Sequence, residues 1–143
     1  MFEPINRKAP EDRRSVPLDP ASPPTIKLGQ ILQVNGTTGY AALADGGALV
    51  TQPLWAFSKT GRLDVDIAHA VTVVEAPFSA RVDTDGYYGS PVAGNALKVG
   101  TTTYVGKLVV ESTIDTVAKL QSIVAYCVKA PDANGVIEFK AIR

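Results

Sequence analysis

The sequence predicts an all-β domain, either a small β-barrel or a sandwich of short antiparallel strands. Three observations carry that prediction. Gly and Pro are dense, twelve and ten in 143 residues, which sets many turns in a short chain. Between those turn residues lie short β-branched and aromatic runs, not long helical stripes. The runs recur at a spacing of roughly 8–12 residues, as in a sandwich or small barrel.

The prolines and glycines are segregated. Pro4, Pro10, Pro17, Pro20, Pro23 and Pro24 precede the first glycine, Gly29. Proline fixes φ and cannot donate to a central ladder, so residues 1–25 are expected to form an extended proline-rich N-terminal arm. The arm mixes both charges and has few large apolar side chains, so it cannot fold alone. Its composition also suits a disordered tail. As a docking arm it would order across a partner through Phe2, Ile5, Val16 and Leu18. Arg13 and Arg14, adjoined by Glu11 and Asp12, read as solvated arm residues and as candidate partner contacts. Residues 26–143 are expected to form the barrel-like body, which stays folded without the arm.

Within the body, Ile26 to Val34 reads as a strand that meets Asn35-Gly36, a strong hairpin signal. Tyr40 to Ala44 follows, closed by Asp45-Gly46-Gly47. Leu49 to Thr51 and Trp55 to Phe57 flank Pro53, which marks an edge or a break. Lys59-Thr60-Gly61-Arg62 is a turn, and Leu63, Val65 and Ile67 alternate with Asp64 and Asp66. Ala70 to Glu75 stops at Pro77, and Phe78 to Val82 stops at Asp83-Thr84-Asp85-Gly86. Residues 86–94 form a loop. Leu97 and Val99, then Thr101 to Val105, then Lys107 to Val110 continue the strands. Ser112 to Gln121 fits a short helix capped at Ser112 or a loop, with the loop favoured. Ile123 to Lys129 and Val136 to Ile142 make a closing hairpin around Pro131-Asp132-Ala133-Asn134-Gly135.

Composition limits the chemistry. Lys+Arg and Asp+Glu are both 14, so the chain lacks the basic excess of a general nucleic-acid binder. Apolar runs of a few residues cannot span a membrane. Glu3, Glu11 and Asp12 do not suit a secretory signal. A single cysteine, Cys127, makes no internal disulfide and reads as a core residue between apolar neighbours. The one histidine, His69, has no G-x-S-x-G elbow to serve and reads as structural. Asp64 with Asp66, and Asp83 with Asp85, read as a solvated strand face and a turn. Neither pair completes an EF-hand loop. Gly100 and Gly106-Lys107 miss the phosphate-loop spacing, and Leu108 stands where its hydroxyl residue belongs. Asn35-Gly36-Thr37 reads as a turn, although it is formally a glycosylation sequon. The sequence thus points to no catalytic residue, cofactor or metal, and to a non-enzymatic protein.

Several blocks of the body occur in a distinctive order. Trp55-Ala56-Phe57-Ser58-Lys59-Thr60-Gly61-Arg62 precedes Val71-Thr72-Val73-Val74-Glu75-Ala76-Pro77-Phe78. Gly94-Asn95-Ala96-Leu97-Lys98-Val99 precedes Gly106-Lys107-Leu108. Val124-Ala125-Tyr126-Cys127-Val128 precedes Val136-Ile137-Glu138-Phe139. This layout, over most of residues 26–143, resembles the head decoration (cement) proteins of tailed bacteriophages. The resemblance implies a structural virion protein on the outer surface of an assembled capsid, which it stabilises. It implies the major capsid protein as partner and a homo-oligomer, with a trimer favoured, and no nucleic acid or membrane. Near-zero net charge would let many copies crowd together. The competing expectation is a carbohydrate- or receptor-binding β module of a tail fibre or tailspike. Its aromatic platform would come from Trp55, Tyr87 and Tyr88, with Trp55 more naturally a core residue.

Overall fold

A computed structural model describes residues 1–5, 13–22, 24–57 and 70–143. The expected Lys59–Arg62 turn, the Leu63–Ile67 strand with Asp64 and Asp66, and His69 lie outside the described residues, as do Glu11 and Asp12.

The described chain forms two antiparallel sheets that pack as a sandwich. Its strands are β1 (Phe2–Pro4), β2 (Arg13–Pro17), β3 (Ile31–Val34), β4 (Ala41–Leu43), β5 (Leu54–Ala56) and β6 (Ala70–Glu75). The later ones are β7 (Phe78–Val82), β8 (Ala96–Val99), β9 (Leu108–Val110), β10 (Ile123–Lys129) and β11 (Ile137–Ala141). The first sheet runs β1-β7-β11-β10-β8-β9 and the second β2-β6-β5-β3-β4. Neither closes into a barrel, so the sandwich alternative stands.

Period-two burial explains the layers. Ile31, Trp55 and Val74 of the second sheet point into the space between the sheets. There they meet Phe78, Leu97, Cys127 and Phe139 of the first sheet. Trp55 lies edge-on to Phe78 at 5.1 Å and stacks near Phe139 at 6.2 Å. The intervening residues Leu32, Leu54, Ala56, Val71 and Val73 point the other way and form a second buried cluster. The second sheet is therefore apolar on both faces, like a central layer, although it is antiparallel.

The second cluster is completed by Val16, Leu18 and Ile26, at 4%, 1% and 1% exposure. This corrects the expected arm. β2 pairs antiparallel with β6, from Arg13 opposite Val74 to Pro17 opposite Ala70. β1 pairs with β7, Phe2 opposite Val82. Both are edge strands, where a proline lacking N–H is tolerated. Pro4 and Pro17 end these strands, so these two prolines mark sheet edges, while Pro20 and Pro24 lie in no strand.

Elsewhere local chemistry accounts for the differences. The Ile26–Val34 run forms a strand only from Ile31, because Gly29 turns the backbone at φ 81° against Val82 and Phe2. Leu49 to Thr51 forms no strand. Thr101 to Val105 holds a 3-10 turn, Thr102–Tyr104, in place of a strand. Within Ser112 to Gln121 the favoured loop gives way to a helix, α1 (Val117–Ser122). Its cap is Thr116, which accepts from the Lys119 N–H at 3.1 Å, and not Ser112.

Candidate functional site

Five of the six residues expected to grip a partner are engaged within the fold. The Phe2 ring lies edge-on to Phe57 and Phe78, at 5.9 and 5.8 Å. Val16 and Leu18 are core residues. Arg13 stacks its guanidinium over the Phe57 ring at 3.8 Å. Arg14 pairs with Glu75 at 2.8 Å, both side chains about half exposed. Ile5 is 39% exposed, while its backbone N–H donates to the Ser79 carbonyl at 2.7 Å. An extended segment supplies residues for edge pairing as readily as for docking, and the sequence does not separate the two.

The Asp83–Gly86 turn is built as its residues suggest. Asp83 Oδ1 accepts from the Asp85 N–H at 3.0 Å, and the Gly86 N–H returns to the Asp83 carbonyl at 3.0 Å. Asp83 Oδ2 pairs with the N-terminal ammonium at 2.6 Å. Among the described residues, no three His, Cys, Asp or Glu side chains gather as a metal ion would require. None of the described helices is long and apolar enough to cross a membrane.

The tandem tyrosines divide their roles. Tyr87 is 3% exposed and donates its hydroxyl to the Gly135 carbonyl at 2.7 Å. Burial, reinforced by the nearby Asp132 and Asp83 carboxylates, pushes its phenol above the ordinary value. Trp55 is fully buried. Of the three expected platform aromatics, Tyr88 alone stands open, at 52% exposure. It stacks on Tyr104 with ring centroids 3.9 Å apart and planes 24° from parallel. A hydrogen bond with the Tyr104 side chain pushes the Tyr88 phenol up from its ordinary value.

The tyrosine pair borders a groove of about 570 Å³ beside β8 and β9. Lys98 and Val109 sit opposite each other across these strands and line it. Ser90, Asn95 and Thr101 add polar groups at its rim. Its wall is fixed by backbone. The Gly46 N–H donates to the Gly100 carbonyl at 3.0 Å, and the Gly100 N–H donates to the Lys107 carbonyl at 2.8 Å. A Cβ at Gly100 would stand 2.5 Å from the Tyr104 carbonyl oxygen, so this crossing accepts only glycine. Between them Thr102 holds φ at 58°, a left-handed conformation uncommon for a β-branched residue.

Charge in the groove is compensated. Lys98 Nζ lies 2.6 Å from Glu111 Oε2, and the Glu111 side chain is 9% exposed. The Lys98 hydrogen bond holds the Glu111 carboxyl below its ordinary value, against the opposing effect of desolvation. Tyr104, Asn95 and Lys98 were invisible as site residues in the sequence. Tyr104 lay in a run read as strand, where nothing tied it to Tyr88.

A second exposed feature lies between β9 and β10. Ile114, Val117 and Leu120 are 43%, 70% and 56% exposed on α1 and its approach. Asp115 and Lys119 pair at 2.9 Å beside them. Compared with models of protein families, with curated proteins and with solved structures, the chain matches none.

Proposed function

We propose that the chain is a non-enzymatic structural virion protein that binds the outer surface of an assembled phage capsid and stabilises it. One observation carries the reading. Four of the six blocks that carry the resemblance fall on neighbouring strands of one sheet, while the blocks that begin at Trp55 and Val71 enter β5 and β6 of the other. Gly94–Val99 runs through β8, Gly106–Leu108 leads into β9, and Val124–Val128 and Val136–Phe139 run through β10 and β11. They form the contiguous stretch β11-β10-β8-β9. The exposed Ile114, Val117 and Leu120 sit on the connection between two of those strands and offer apolar contact area to the major capsid protein or to a neighbouring copy. The trimer is part of the same proposal.

Binding to assembled shells alone would raise their stability by mass action, roughly 2.7 kcal/mol at a hundredfold excess over Kd. Shells lacking the chain, mixed with purified protein and sedimented, test it. Co-sedimentation with a raised disruption temperature is expected. Protein left in the supernatant would reject the capsid reading. Val117→Asp with Leu120→Asp, on a folded protein, is expected to abolish the binding, and full binding by that variant would move the contact elsewhere.

A further inference from the structure

We infer that the groove beside Tyr88 and Tyr104 is a binding site for an uncharged pyranose sugar. The inference is independent of the capsid reading. The volume falls in the range of small-ligand pockets, and the lining combines an aromatic wall with a few polar groups at fixed places. A pyranose has one face of C–H groups and a rim of hydroxyls, so it needs those two kinds of surface together. Tyr88 lines the groove and is half exposed, so its ring offers surface to the C–H face. Tyr104, which also lines the groove, stacks on that ring at 3.9 Å and holds it in place.

The rim supplies hydroxyl partners of both kinds. Ser90 and Thr101 donate and accept. The Asn95 side-chain oxygen is already committed to the Val92 N–H at 2.9 Å, which turns its amide NH₂ into the group left for a ligand. Lys98 is the one cation in the lining, and Glu111 takes up its charge from outside the groove at 2.6 Å. An anionic ligand would have to compete with that carboxylate, so the groove favours a neutral one. The wall is pre-formed, because glycine crossings and the strained Thr102 fix its backbone, and ordering costs on binding are small.

The test uses the isolated full chain, with no capsid present. Its amide NMR spectrum is titrated with methyl glucoside, galactoside, mannoside and N-acetylglucosaminide, and with methyl glucuronoside as the charged comparison. At least one neutral glycoside is expected to shift the amides of Gly46, Gly89, Asn95, Gly100 and Thr101. Tyr88→Ala should weaken that binding about tenfold, as loss of one stacked contact does, and Tyr88→Phe should retain it. Val109→Trp, which fills the groove, should abolish it and provides a second variant if Tyr88→Ala fails to fold. No shift at those amides with any neutral glycoside would overturn the inference. So would unchanged binding by Tyr88→Ala or Val109→Trp, or tighter binding of the glucuronoside.

Discussion

Leu18 and Ala41 lie side by side in parallel pairing, and this contact draws together the two outer strands of the second sheet. Leu18 follows β2 directly and Ala41 begins β4. The sheet curls around the cluster that Val16, Leu18 and Ile26 complete, without closing into a barrel. Leu18→Ala should therefore cost about 3 kcal/mol in urea unfolding, as for other buried Leu truncations. A chain starting at Ile26 should lose its cooperative transition, because it lacks the edge strands β1 and β2 and the core residues Val16 and Leu18. A truncated chain with dispersed amide signals and the stability of the full chain would return residues 1–25 to the role of an accessory arm.

Cys127 offers a chemical readout of the inter-sheet core. It is 2% exposed, and its thiol donates to the Lys129 carbonyl at 3.3 Å. Burial pushes the thiol above its ordinary value of 9.0. The folded state thus holds its proton to higher pH than the unfolded state, so this group's contribution to stability falls as pH rises above 9.0. Disulfide exchange reagents should label the native protein only at the rate of its opening, and added urea should accelerate labelling steeply. Rapid labelling in native buffer would place the thiol outside the core.

The Lys98–Glu111 pair predicts the acid side. The folded carboxyl titrates below its ordinary value of 4.5, chiefly through the Lys98 hydrogen bond. Its stabilisation is present in full above that value and is lost as pH falls through the lowered folded value. Glu111→Gln should flatten this part of the pH–stability profile and leave the alkaline side unchanged. A profile of unaltered slope in the variant would remove the pair from the account.

Gly46 tests the backbone crossing at the groove. A Cβ there would fall on the Val99 carbonyl oxygen, which is backbone and cannot turn aside. Gly46→Ala should destabilise by about 1–3 kcal/mol, as overpacking does. Gly36→Ala, which meets nothing within 4 Å, should change stability little. Equal melting temperatures for the two variants would show that the crossing relaxes at no cost.

The legible parts of the fold are those in which local pattern and tertiary role agree. Ala70–Glu75, Phe78–Val82 and Ile123–Lys129 are β-branched or aromatic runs bounded by turn residues, and each forms a strand at those bounds. The edge strands β1 and β2 were not legible, whereas the edges β4 and β9 were. Arg13 to Pro17 has no alternation beyond Ser15-Val16-Pro17 and becomes a strand only because β6 offers it a ladder. Thr101 to Val105 has β propensity throughout, but the close approach of Gly100 to Gly46 bends it into a turn. The groove depends on that turn, so its aromatic wall could not be assembled from residue spacing. Tyr88 was singled out, whereas its partner was not.

The pairing of β1 with β7 and of β2 with β6 carries a consequence for how the protein is made. A ribosome delivers Phe2–Pro4 and Arg13–Pro17 well before the strands that receive them, at roughly 5–20 residues per second. Until β6 and β7 emerge, Val16 and Leu18 have no layer to cover, and the first strands wait as solvated chain. Their proline-rich, mixed-charge composition suits that interval, because such a segment neither collapses nor templates a neighbour's strand. The prolines that end the finished strands thus also keep the nascent chain quiet until its partners arrive.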